Sequence, residues 1–80
     1  MKDIILAQNI RIAKEGLEDI IRNITMLENL SGQYTKDLDD IRNNSNKYLD
    51  DLKQDISINQ VDKILDFISK KHKELFDKFS

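Results

Sequence analysis

An all-α fold, three antiparallel helices packed in a coiled-coil-like bundle, is what this 80-residue sequence predicts. Three observations carry that expectation. Apolar residues recur at alternating intervals of four and three along each part of the chain. There is no proline, and the only glycines are Gly16 and Gly32, so most of the turn punctuation that strands need is missing. Charged residues make up 35% of the chain, above the typical quarter, which suits helices with one solvated face.

The first helix is expected over about 3–30. Leu6, Ile10, Ala13, Leu17, Ile20, Ile24 and Leu27 form an unbroken a/d seam over roughly three heptads. Asp3 stands where an N-cap is wanted, and Gly32 where a left-handed C-cap is wanted. The apolar arc is wider than the seam. Ile5, Ile12 and Met26 fall at c, Ala7 and Ile21 at e, and Leu30 at g. So broad an arc predicts contact with two neighbours rather than one. Gly16 sits mid-helix at a cost of about 1 kcal/mol relative to Ala. Tolerated drift is the favoured reading of that glycine, and close approach of another backbone is the alternative.

A second helix is expected over 34–56, after the break at Ser31-Gly32-Gln33. Tyr34, Leu38, Ile41, Ser45, Tyr48, Leu52 and Asp55 keep the spacing, with Leu49 and Ile56 beside them. The seam is weaker here, because Ser45 and Asp55 are polar. Asn43-Asn44-Ser45-Asn46 is the poorest helix-forming run in the chain. The apolar phase agrees on both sides of it, which favours one continuous helix.

The phase slips by one residue near Ser57-Ile58-Asn59, and Ser57 or Asn59 would cap a third helix over 59–79. Val61, Leu65, Ile68, His72, Leu75 and Phe79 form its seam, widened by Ile64, Phe67 and Phe76. Lys70, Lys71, Lys73 and Lys78 lie in its second half, where they complement the helix dipole. Short connections make neighbouring helices antiparallel. The same seams also fit a long helical hairpin, with the second and third segments merged, that dimerises into a four-helix bundle. Either way, residues 1–80 read as one helical domain.

Size and composition narrow the function. A chain this short buries only about 60–65% of its unfolded surface, so its stability as a monomer is marginal. With no cysteine and one histidine, neither disulfides nor the usual zinc ligand sets are available. No metal or cofactor is expected. A net charge of −2 does not favour nucleic acid or an anionic membrane. No apolar run is long enough to span a membrane or to serve as a secretory signal, so the cytoplasm is the default location and leaderless secretion the alternative. No phosphate loop, nucleophile elbow or metalloprotease motif occurs, and an enzyme is not expected.

Few side chains stand out as candidates. His72, flanked by Lys71 and Lys73, reads as a bundle-edge histidine, with a pH-sensitive interface the minority alternative. The aspartates Asp37, Asp39, Asp40, Asp50, Asp51 and Asp55 outnumber the bases Lys36, Arg42, Lys47 and Lys53 of the middle segment by six to four. They lack the glycine and distal glutamate of a calcium loop, so they read as a solvated acidic face. Lys70-Lys71-His72-Lys73 is the one basic run; it is short and has no aromatic within it.

The leading expectation is a non-enzymatic protein–protein interaction module, of the adaptor, inhibitor or immunity type, laying an amphipathic helical face on a partner. The composition, rich in Ile, Lys, Asn and Asp, suits a low-GC bacterium or one of its phages. The aromatics Tyr34, Tyr48, Phe76 and Phe79 are the candidate anchors, since large aromatics carry much of the energy of interfaces. Asp39, Asp40, Asp50 and Asp51 form the candidate acidic rim. The phenylalanines equally fit the core. The partner is another protein or a second copy of the chain. A self-assembling structural oligomer is the second expectation, and nucleic-acid or membrane-surface binding through the basic C-terminal helix is a remote third.

Helix, glycine turn and helix in a chain of this size also resemble the small helical-hairpin substrates and partners of type VII secretion. Leu30-Ser31-Gly32 occupies the place of their W-x-G turn. The resemblance implies a secreted helical hairpin. The chain has leucine in place of the tryptophan. It also has no acid at the spacing of the family's C-terminal Y-x-x-x-D/E signal after Phe76 or Phe79.

Overall fold

The most apolar seam builds the longest helix. In the computed structural model, which describes residues 2–79 and the side chains from Ile4 to Lys78, α1 runs over Lys2–Ser31. Ala13, Leu17, Ile20 and Ile24 are fully buried, while Leu6, Ile10 and Leu27 flank them half-buried. α1 is already helical at Lys2, so Asp3 lies inside it and is not its cap; lysine is a good helix former and nothing halts the helix there. At the other end, Gly32 takes φ +69° and its N–H donates to the Glu28 carbonyl at 2.8 Å. That is the left-handed cap that a residue with a Cβ adopts only at a cost.

α2 spans Lys36–Leu52. It starts two residues later than the apolar spacing suggests, because Thr35 caps it: its Oγ1 accepts from the Leu38 N–H at 3.2 Å. It ends four residues earlier. Asp50 and Asp51 oppose the dipole at its C-terminus, and the Lys53 and Gln54 N–H groups close on Asp50 and Asp51 in tightened i→i−3 turns. The asparagine run stays helical. Ser45 is fully buried within it, and its hydroxyl donates to the Ile41 carbonyl at 2.8 Å, so the polar seam position has a local partner.

α3 covers Ile58–Phe79. Of the two cap candidates, Ser57 takes the role in a reciprocal box. The Gln60 N–H donates to Ser57 Oγ at 3.3 Å, and the Ser57 N–H donates to Gln60 Oε1 at 2.9 Å. The break at 53–57 keeps α2 and α3 separate, so the merged-hairpin alternative does not apply.

The arrangement is an all-α three-helix bundle, up, down and up, with α1 as its spine. α1 packs along both α2 and α3, whereas α2 and α3 touch each other only sparingly. The body measures 46 × 21 × 15 Å, and the length of α1 sets its long axis. Leu38, Ile41 and Leu52 from α2 and Val61, Ile64, Ile68 and Leu75 from α3 close the core. Tyr48 and Phe67 meet edge to face, their ring centroids 5.0 Å apart.

Gly16 has a packing reason, contrary to the reading as drift. A Cβ at this position would stand 2.9 Å from Ile68 Cγ2 and 3.1 Å from Ile68 Cδ1. The missing side chain lets an α3 side chain, rather than an α3 backbone, press onto α1.

One charged side chain enters the core region. Glu28 is 5% exposed and pairs with Arg42 of α2, which also reaches Asp39 at 3.2 Å. Arg42→Met is expected to cost about 2 kcal/mol, because it strands the Glu28 carboxylate in a poorly hydrated place. Glu28→Leu combined with Arg42→Met should recover most of that loss. Urea unfolding of both variants checks the pair; an equal loss in each would refute this account.

Candidate functional site

Among the described residues eight large apolar side chains are left exposed, and they are not scattered evenly. Five are on α1 (Ile4, Ile5, Ile12, Met26 and Leu30), two on α3 (Ile58 and Phe76), and Tyr34 lies in the first linker. At roughly 100° per residue, Glu28 marks the side of α1 that meets α2, and Gly16 and Asn23 the side that meets α3. Ile5, Ile12, Met26 and Leu30 fall just beyond the α3 side, turned away from α2. On α3, Phe67 points toward α2 and its Tyr48. Ile58 and Phe76 fall on the opposite flank of Ile68. The two sets therefore share one surface, the face of the α1–α3 layer that α2 does not cover. Asn23, His72, Leu75 and Phe76 line a shallow cleft that joins the two helices there.

Between its apolar ends this face carries Ile12, the neutral Asn23 and Ser69, and the charged Asp19. Asp19 is held by Arg22 one turn on, and Asp62 and Lys73 rim the face on α3.

One aromatic candidate shares a cleft with an acidic one, but the set as a whole is not brought together. Tyr34 is 74% exposed and shares a cleft with Asp39, Lys36 and the Glu28–Arg42 pair. Asp40 lines the open groove between α2 and α3 with Asp37, Lys71 and Glu74. Asp50 and Asp51 sit at the far end of α2, Asp50 beside Lys53 at 3.8 Å. Tyr48 is half-buried against Phe67, and Lys71 Nζ lies 5.9 Å from the Phe67 ring centre. Phe76 is 72% exposed on the α1–α3 face. The Phe79 side chain lies outside the described residues.

Ile5, Ile12, Met26, Leu30 and Ile58 are the residues the sequence reasoning did not place at a surface site. Their signal was present. Ile5, Ile12 and Met26 share one heptad position, and the wide apolar arc calls for at least a second neighbour. α3 does supply that neighbour, but it reaches only as far as Gly16 and Asn23, and the c row remains in solvent.

The sequence matches no protein-family model, and neither the curated proteins nor the solved structures gave a significant match. The fold and its surface are thus the ground for a functional reading. Among the described residues, no three His, Cys, Asp or Glu side chains gather in a way that could hold a metal ion. Among them, too, no helix is long and apolar enough to cross a membrane.

Proposed function

We propose that this chain is a non-enzymatic protein–protein interaction module whose docking surface is the uncovered α1–α3 face. The observation that supports it is the segregation of exposed apolar side chains. Six of the eight lie on that face. An isolated exposed leucine needs no explanation, but six large apolar side chains gathered on one face of a small chain do. A role as adaptor, inhibitor or immunity-type protein fits such a face. The acidic side chains of α2 then serve solubility and charge steering rather than contact.

A photo-crosslinking residue tests this reading. Placed at Ile12, on the face, it should yield protein adducts in cells producing the chain. Placed at Asn43, on the outer side of α2, it should not. Adducts from position 43 alone, or from neither position, would overturn the proposal.

A further inference from the structure

We propose that the occupant of the α1–α3 face is a second copy of this chain, turned end for end about a two-fold axis at the level where Gly16 meets Ile68. The inference rests on the reading of that face as a docking surface and goes further by naming what docks.

Charge order along the outer edge of α3 is the first argument. Asp62 and Asp66 lie in its first half, and Lys70, Lys73 and Asp77 in its second; a reversed copy sets Asp77 against the neutral Asn59. Asp66 and Lys70 stand two residues either side of Ile68, and they pair within the chain at 2.9 Å. Asp62 stands six residues before Ile68 and Lys73 five after it. Both are exposed and, among the described residues, neither is in an ion pair. A copy running the opposite way sets Asp62 of each chain against Lys73 of the other, and extends each Asp66–Lys70 pair into a ladder.

The apolar pattern has the same centre. Ile58 and Phe76 lie nine residues to either side of residue 67, and Ile5 and Met26 eleven before and ten after Gly16. Reversing the ends therefore lays apolar on apolar at both poles. Asn23 and Ser69 lie between the poles; the space at Gly16 is filled by Ile68 of the same chain. A surface that maps onto itself when its ends are exchanged is what an isologous interface requires.

The area suffices. The six side chains on the face are between 44% and 74% exposed. Together they present on the order of 700 Å², against the roughly 800 Å² per partner of a standard specific interface. The neutral polar residues between them supply the remainder.

Sedimentation equilibrium of the purified full chain, from low micromolar to several hundred micromolar, tests the proposal. A monomer–dimer equilibrium is expected. Asp62→Lys and Lys73→Asp should each weaken it about tenfold, since each change replaces two attractions by two repulsions in a symmetric dimer. The double variant should restore it. Ile12→Glu should abolish it, with helicity by circular dichroism unchanged in every variant. A monomer throughout the range overturns the second copy as occupant, while adducts from position 12 to a different protein would leave the docking face standing. A dimer that survives Ile12→Glu sinks both readings. Single reversals that weaken the dimer without rescue by the double variant overturn the antiparallel register.

Discussion

Replacing Ile20 with aspartate is expected to abolish the fold. Ile20 is 0% exposed at the middle of α1, where the packing toward α2 and the packing toward α3 converge. A carboxylate there has no partner and no water, and the lost apolar burial adds to its desolvation. The sum is about 4 kcal/mol or more. That is comparable with the whole stability of a domain this small. Circular dichroism should show most of the helical signal lost at 25 °C and no cooperative melt. Tyr48→Ala sets the scale. It removes a half-buried ring and its edge contact with Phe67, at a cost of about 2 kcal/mol, and should leave a cooperative transition. Equal unfolding by both would show that α1 is not the spine of the structure.

The second large effect lies at Gly16. Gly16→Val is expected to destabilise the chain by about 3 kcal/mol, because Ile68 Cγ2 already occupies the space the branched side chain needs. Gly16→Ala is a finer test. It gains about 1 kcal/mol of helix propensity but brings a methyl group to 2.9 Å from Ile68 Cγ2, closer than real Cβ atoms stand. In the wild-type background the clash should win, and thermal unfolding should shift down. In an Ile68→Ala background the clash is gone, and the same substitution should shift it up. If Gly16→Ala stabilises both backgrounds, the glycine has no packing role.

How much of this could be read from the chain depends on what each residue contacts. The three helices and their order follow from local periodicity, which a helix imposes along its own length. The buried set of α1 is legible for the same reason. The helix ends are less so. The end of α2 depends on two aspartates that oppose the dipole and on a turn that tightens after them, and the apolar spacing runs on past both. Gly16 was misread because its function is to make room for Ile68, fifty-two residues away. Nothing in its own surroundings announces that contact. The docking face was hidden by the opposite problem. Ile12 and Met26 look like core residues, and only the placement of α3 shows that the core stops one row short of them. Phe76 fits an anchor or the core equally by its spacing, and it lies outside, 72% exposed.

The odd number of helices has a consequence of its own. α1 and α3 run in the same direction, so the chain enters at one pole of a 46 Å body and leaves at the other. Copies joined in series would therefore string out into a rod, each adding to its length, where a unit of two or four helices would double back on itself. Tags placed at the two ends of α1 and α3 would report on opposite poles, and a fused protein at one end would stand clear of whatever occupies the other.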